Sequence, residues 1–225
     1  MTLSNPHGIG PGFAVARLDE IDEIDDGSRP FRPVRLHFGI QTFGVTAVTA
    51  QSNGDPLINE HEETEPESGE ELYVVIAGHA KFDLDGEAQE APAGTLIHVS
   101  PGIKRSASAR VAGTTVLAIG AGPAGTPYAP SGWELLAPLY PLFESGDYEE
   151  GANRAQALIA HDPPYWAVYY NTACFEARAG RTDEALAHLR RAAELSPSYV
   201  AKLAPTDDDL APLREQAGFA EILGG

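Results

Sequence analysis

The chain has 225 residues, with 33 acidic and 15 basic side chains and a formal charge of -18. A surface this negative repels phosphate backbones and anionic lipids, which argues against nucleic acid and membrane partners. Cys174 is the only cysteine, so no disulfide can form within the chain. No apolar stretch approaches the roughly 18 residues of a membrane helix, and the start of the chain lacks a signal-peptide pattern. Together these features predict a cytoplasmic protein.

Local composition divides the chain into four segments. Residues 1–30 are rich in Gly, Pro and acidic side chains and are predicted to be loose. Residues 31–119 alternate short β-favouring runs with turn residues, which is typical of a β sandwich or barrel. Residues 120–132 have the composition of a linker, and residues 133–225 have helical periodicity. The predicted strands are RLHFGI, FGVTAVTA, ELYVVIA, HAKFDLD, TLIHVS and TTVLAIG.

The helical segment contains an internal repeat. Gly146 in the sequence GDYEE is followed 34 residues later by Gly180 in GRTDE, and Pro163 is followed at the same distance by Pro197. A period of this length indicates successive helical hairpins that bury their apolar faces against one another. Glycine ends helices and proline stops them, so both pairs mark helix boundaries.

This repeat resembles tetratricopeptide repeats, most clearly over residues 169–197. Ala185 and Ala192 occupy the positions where that family keeps small residues at the helix crossing. The preceding unit is degenerate, with Gly151 and Leu158 in place of the two alanines. The resemblance implies a protein–protein interaction module. The alternative is that the helices only cover the barrel or close a homodimer. Because two hairpins leave an apolar end without a further repeat to cover it, we expect them to pack against the barrel of the same chain or of a dimer mate.

Residues 60–110 resemble the cupin family. Glu71 and Gly78 enclose six residues, as at the end of the first cupin motif, and the segment from Gly94 to Gly102 keeps the spacing of the second motif. The resemblance implies that residues 31–119 form a single RmlC-like barrel, a double-stranded β-helix or jelly roll. The fold class is therefore mainly β plus α: a cupin barrel followed by a tetratricopeptide-like helical array.

The metal site of the cupin family is altered in this sequence. The family holds a divalent transition ion with three histidines and one carboxylate, and Arg105 stands at one of the histidine positions. Arginine does not ligate metals, but it neutralises a buried carboxylate, so Arg105 is expected to pair with Glu71 inside the barrel. Strand alternation places Tyr73 on the same face as Glu71. The predicted ligand-binding residues are Glu71, Tyr73, Arg105, His61 and Glu63.

Three functions are compatible with these features. The first is a small-molecule binding or sensing barrel without catalysis, whose helical half contacts a protein partner. The second is a metal-dependent oxygenase or isomerase that uses His61, Glu63 and Glu71 as ligands of a divalent transition metal. The third is a structural interaction protein with a filled barrel. The replacement at Arg105 favours the first; the sequence leaves open the identity of the ligand and whether any reaction is catalysed.

Overall fold

The computed structural model describes residues 12–25, 29–63, 69–123, 125–160 and 162–224. The described residues up to Ala129 form one compact unit, and those from Pro130 onward form a second. The first unit is built on antiparallel β-sheets and the second on α-helices. The fold is therefore mixed β and α, with the sheets in the first unit and most of the helices in the second. Among the described residues, no helix is both long enough and apolar enough to cross a membrane.

The β unit contains ten strands within the described residues. Two of them, β1 (Ile24–Asp25) and β2 (Pro30–Phe31), form a small ladder of their own. The other eight form two four-stranded sheets. Their bounds are β3 (Gly44–Thr49), β4 (Pro56–His61), β5 (Glu71–Ala77), β6 (His79–Leu84), β7 (Glu87–Pro92), β8 (Leu96–Val99), β9 (Arg105–Ala109) and β10 (Thr115–Gly120).

The order of the strands defines the topology of the β unit. One sheet runs β3-β10-β5-β8 and the other β4-β9-β6-β7, with every neighbouring pair antiparallel. This is the strand order of a jelly roll, in which two Greek keys close one sheet over the other. The ring centroids of Tyr73 on β5 and Phe82 on β6 lie 5.6 Å apart, so the two sheets face each other. Leu57, Val75 and Val116 complete a fully buried apolar interior.

The prediction that RLHFGI is a strand is wrong. These residues lie mostly on helix α1 (Val34–Phe38), which begins after Pro33 and ends at Gly39, a glycine with a φ of 67°. Proline tolerates the start of a helix and a left-handed glycine ends one, so this pair of residues overrides the β propensity of the run. His37 is therefore a buried helical residue and not a strand residue.

Parts of the segments predicted to be loose or to form a linker are packed. Of residues 1–30, the structure describes 12–25 and 29–30, which include a 3-10 turn (Leu18–Glu20) and the buried residues Ile21 and Ile24. Within the predicted linker, Tyr128 packs so closely over Gly44 that a Cβ there would overlap its hydroxyl group. The β unit therefore includes residues beyond its last strand.

The helical unit consists of short helices around three longer ones. The α-helices are α2 (Gly132–Leu136), α3 (Tyr140–Ser145), α4 (Tyr148–Ile159), α5 (Trp166–Arg178), α6 (Thr182–Leu195), α7 (Pro197–Leu203) and α8 (Ala217–Ile222). Two 3-10 segments, Ala137–Leu139 and Asp208–Leu213, connect them. Helix α5 packs between α4 and α6. The helices α4 and α6 begin 34 residues apart, directly after the repeated Gly-x pairs, so the sequence period is also a period of the structure.

Candidate functional site

Three strands bring the predicted site residues together. Glu71 opens β5 and Arg105 opens β9, while His61 closes β4. Since β4 and β9 pair with His61 opposite Arg105, these two side chains leave the same face of one sheet. Glu71 and Tyr73 leave a common face of the other sheet because they are two residues apart on one strand. The site is therefore a bridge between the two sheets of the jelly roll.

The centre of the site is an ion pair. The side chain of Arg105 is 0% exposed, and its Nε donates to Oε2 of Glu71 at 2.9 Å. Its Nη2 donates to the same oxygen, and its Nη1 donates to the carbonyl oxygen of Ile103 at 3.0 Å. The predicted pairing of Arg105 with Glu71 is confirmed. The two guanidinium bonds converge on one carboxylate oxygen instead of running in parallel to two.

Tyr73 supplies a further donor to this carboxylate, at 2.5 Å from its hydroxyl oxygen to Oε2 of Glu71. Burial by itself raises the pKa of Glu71, but its contacts with His61, Tyr73 and Arg105 outweigh this effect and lower the pKa to about 2. Burial, together with the charge of Glu71, raises the pKa of Tyr73 above its ordinary value. Glu71 is thus a fixed anion and Tyr73 a fixed hydrogen-bond donor.

His61 and Glu63 lie at the solvent-facing side of the pair. The Nδ1 atom of His61 is 2.7 Å from the carbonyl oxygen of Asn59, which accepts only, so Nδ1 carries the proton and Nε2 points to Glu71 Oε2 at 3.7 Å. The contact with Glu71 raises the pKa of His61 against the opposing effect of burial. Oε1 of Glu63 lies 3.9 Å from Nη2 of Arg105.

Three of these residues also meet the geometric condition for a cation site. One ligand atom each from His61, Glu63 and Glu71 lies within 4.8 Å of the other two. The donor set is one imidazole and two carboxylates, which is oxygen-rich and suits hard, weakly held ions. Arg105 places a permanent positive charge against Glu71 and near Glu63. These residues therefore do not fit a tightly held transition metal.

His98 lies outside this cluster. It is exposed on β8, opposite Leu72, and its Nε2 lies 3.5 Å from Oε1 of Glu70. Two contributors were not predicted, namely the carbonyl groups of Asn59 and Ile103. Both groups belong to the backbone, so the identity of the residue does not predict their hydrogen bonds.

No protein-family model matches the sequence, and no curated protein matches it. Solved structures do match, and cupin and RmlC-like proteins are among them. A cupin protein from Bacteroides fragilis is 19% identical, with 49% of this chain and 90% of that chain covered and a TM-score of 0.38. KdgF from Halomonas sp. is 14% identical over 48% and 91% of the two chains, with a TM-score of 0.38.

A sugar phosphate isomerase from a cupin superfamily, from Silicibacter pomeroyi, is 21% identical over 42% of this chain and 59% of that chain, with a TM-score of 0.38. All three TM-scores are below 0.5. We assign the jelly roll from the strand order and the candidate site from the contacts between its residues.

Proposed function

We propose that the β unit is a cupin-type barrel that binds a small molecule without catalysing a reaction, and that the helical unit is a tetratricopeptide-like module for a protein partner. The observation that supports this function is the buried pair of Arg105 and Glu71. The pair places the permanent positive charge of Arg105 against the carboxylate of Glu71, which a metal ion would need as a ligand. The ligand would bind at the solvent-facing side of the pair, where the side chains of His61 and Glu63 are partly exposed.

The protonation states of Glu71 and Tyr73 argue against acid–base catalysis by these two residues. A general acid or base works best when its pKa lies near the working pH. Glu71 has a pKa of about 2, and the pKa of Tyr73 is raised, so neither exchanges protons readily at neutral pH. The side chains of His61 and Glu63 are 37% and 38% exposed, so a ligand can reach both.

The helical proposal is supported by packing. Ala185 and Ala192 are fully buried on α6, where a larger side chain would push the neighbouring helix away. Phe175 on α5 is also fully buried and packs with residues of α4. These contacts support an arrangement of stacked helical hairpins, which in repeat proteins present a surface to partner proteins. A protein partner, a homodimer and a cytoplasmic location remain predictions.

The second candidate is a metal-dependent cupin enzyme, and the mutual proximity of His61, Glu63 and Glu71 favours it. In that case the three side chains would hold a divalent ion, which would act as a Lewis acid on a bound substrate. His61 would serve through Nε2, since Nδ1 is committed to Asn59. Arg105 opposes this arrangement, because its permanent positive charge lies against Glu71 and would repel a divalent ion.

Elemental analysis of untagged, full-length protein separates the two functions. We expect iron, manganese, nickel and zinc to be well below one equivalent per chain. The variant Arg105→His is the matched control, because it returns an imidazole to the cluster and removes the competing charge; its affinity for Ni²⁺ or Co²⁺ should exceed that of the wild type. One equivalent of a transition metal in the wild-type protein would refute the binding-only function and establish the metal-dependent one.

A further inference from the structure

A groove lies on the outer face of the sheet that contains β9. Arg105 and Ala107 on this strand are buried and point inward, so by strand alternation Ser106 and Ser108, which are half-buried, point outward. Serine is small, and longer side chains of β4 and β6 stand on either side, so β9 forms the floor of a trough of about 420 Å³. We name this trough the β9 groove; its polar side chains belong to Asn59, Glu60, Lys81, Asp83, Ser106 and Ser108.

The strand register arranges the polar groups of the groove in two pairs. Lys81 on β6 lies directly opposite Ser108, and Asp83 lies directly opposite Ser106. Opposite residues have Cβ atoms about 5 Å apart, and successive outward positions on one strand are roughly 6.6 Å apart. A single ligand of the size of one sugar ring can therefore contact both pairs.

Strand β4 forms the other wall, and its pairing is irregular there. Pro56 pairs with Ser108 and Ile58 with Ala107, and the register shifts on both sides of Ile58. Bulges of this kind bend a strand and re-aim its side chains, and they are frequent next to active sites. In this strand they accompany the exposed side chains of Asn59 and Glu60 in the lining of the groove.

Several groups of the groove are available to a ligand. Among the residues that the structure describes, no hydrogen-bond or ion-pair partner exists for the ammonium group of Lys81 or the amide group of Asn59. The same holds, within that part of the chain, for the hydroxyl groups of Ser106 and Ser108. A serine hydroxyl both donates and accepts, so the floor of the groove can bond a ligand of either hydrogen-bonding kind.

The charges of the groove are balanced. Lys81 and Asp83 bring one charge of each sign, and Oε1 of Glu60 lies 2.7 Å from the ammonium nitrogen of Lys104. A charged ligand of either sign would gain one attractive contact and meet one repulsive contact. A neutral molecule that carries both donors and acceptors meets no repulsion, so the balance favours a neutral ligand.

The lining of the groove offers no aromatic surface within the described residues. Phe82 is the aromatic residue there, and its side chain is fully buried, with its ring centroid 5.6 Å from that of Tyr73 in the interior. Nucleobases and other planar ligands depend on stacking against such rings. The groove therefore suits an aliphatic ligand.

From the available polar groups, the balanced charge and the aliphatic lining, we propose that the β9 groove binds a neutral polyhydroxylated molecule such as a sugar ring. Each hydroxyl group of such a ligand can donate to Asp83 or accept from Lys81 and still bond a serine. Arg105 points to the opposite side of β9, so this site is separate from the one around Glu71. The proposal thus goes beyond the function proposed above and does not depend on it.

The test uses full-length protein and three probes that share a six-membered oxygen ring. Methyl α-D-glucopyranoside is neutral and polyhydroxylated, D-glucuronate carries a carboxylate that is ionised at pH 7, and tetrahydropyran-2-methanol lacks the ring hydroxyls. Backbone NMR shifts locate the binding site, and their titration gives the affinity. We expect saturable millimolar binding of the glucoside, with the largest shifts at Lys81, Ser106 and Ser108, and no saturable binding of the other two probes there.

Matched variants identify the groups that bind. Ser108→Ala removes one hydroxyl from the floor and should weaken binding of the glucoside roughly fivefold, since one hydrogen bond between neutral groups is lost. Ser100→Ala is the control, because Ser100 is exposed and lies outside the groove; its affinity should equal that of the wild type. An unchanged Tm in both variants shows that a loss of affinity does not come from unfolding.

The other outcomes overturn the proposal in recognisable ways. Binding of D-glucuronate in the groove that is lost in Lys81→Gln would show an anion site and refute the neutral ligand. Equal binding of tetrahydropyran-2-methanol would refute the need for hydroxyl groups. Equal affinities of the two alanine variants, or no binding of the glucoside, would refute the sugar-like ligand. Shifts confined to His61 and Glu63 would refute the groove and support the function proposed above instead.

Discussion

Each of the two units buries a carboxylate, and each satisfies it in a different way. In the β unit, Glu71 binds a guanidinium and a phenol hydroxyl, and its side chain keeps 18% exposure. In the helical unit, Glu176 on α5 has a side chain that is 0% exposed. Its Oε1 accepts from Nε2 of Gln156 at 3.1 Å, and its Oε2 lies 2.7 Å from Nδ1 of His188.

The difference distinguishes the candidate site from a structural contact. Glu71 is fixed by a permanent charge at a position that solvent still reaches, which is what a binding surface requires. Glu176 is held by an amide and an imidazole between packed helices, where a ligand has no access. The β unit therefore depends on a charge pair, whereas the helical unit depends on close packing, and substitutions should affect the two units through different mechanisms.

The largest effect is expected for Arg105→Ala. Removal of one partner of a buried pair leaves the other charge uncompensated, which costs roughly 3–5 kcal/mol. The free energy of unfolding of the full chain in urea measures this loss. Arg110→Ala is the control, because Arg110 pairs with Glu90 at the surface and its loss should cost less than about 1 kcal/mol. Similar losses in the two variants would contradict the central role of the buried pair.

Acid should destabilise the β unit through Glu71. Its pKa is about 2 in the folded chain, below the ordinary value of 4.5. The folded state therefore gains stability from the ionised carboxylate above pH 4.5, and this gain is lost as the pH falls from 4.5 toward 2. One pKa unit corresponds to about 1.4 kcal/mol, so the gain is about 3 kcal/mol at most.

Other carboxylates titrate over the same range, so the informative quantity is the difference between wild type and Arg105→Ala. The unfolding free energies of the two proteins should move closer together from pH 6 to pH 2.5. Below pH 4.5 the unfolded chain takes up a proton that Glu71 of the folded wild type, with its low pKa, does not, so the wild type loses the stability that Arg105 gives it. If the gap between them stayed constant down to pH 2.5, the low pKa of Glu71 would not come from its donors.

The strands show what the sequence could and could not predict. Five of the predicted strands are present, and these contain the β-branched and aromatic runs. In the two four-stranded sheets, the missed strands are β4, β7 and β9, with the sequences PLINEH, EAQEAP and RSASA. Their intrinsic propensity is low, and they become strands because β9 lies between β4 and β6, and β7 pairs with β6. Tertiary pairing, which no local window contains, decides their structure.

The site was predictable where side chains converge and not where the backbone contributes. The spacing of the cupin motifs placed Glu71 and Arg105 on strands whose side chains converge, and this predicted their ion pair. That same spacing did not predict that Tyr73 also donates to Glu71, although strand alternation put both on one face.

Gly151 on α4 is a case where the sequence interpretation was incomplete. The residue looks like a degenerate position of the repeat, yet a Cβ at this position would overlap the ring of Phe175.

Gly151→Ala should therefore destabilise the helical unit. Phe175 stacks on Phe143 with ring centroids 3.7 Å apart, so its ring cannot move without disturbing the core. Overpacking of this kind typically costs about 1–3 kcal/mol. Gly218→Ala on α8 is the control: its Cβ would make ordinary contact with Leu186 at 3.4 Å, and alanine favours a helix. Thermal unfolding followed by circular dichroism should show a lower Tm only for Gly151→Ala, and an equal or higher Tm there would contradict the close-packing argument.

The smallest effect is expected for Glu176→Gln, which compares the two buried carboxylates directly. Glutamine keeps an oxygen for the amide of Gln156, and its NH₂ group can donate to Nδ1 of His188 once that imidazole shifts its proton to Nε2. Both hydrogen bonds survive and no permanent charge is left alone, so the loss should stay below about 1.5 kcal/mol. Glu71→Gln makes the same change in the β unit, but it leaves the buried guanidinium of Arg105 uncompensated and should cost roughly 3–5 kcal/mol. Urea denaturation of the two variants measures the contrast; equal losses would show that Glu176 is as dependent on its charge as Glu71, and that the helical unit does not rest on packing alone.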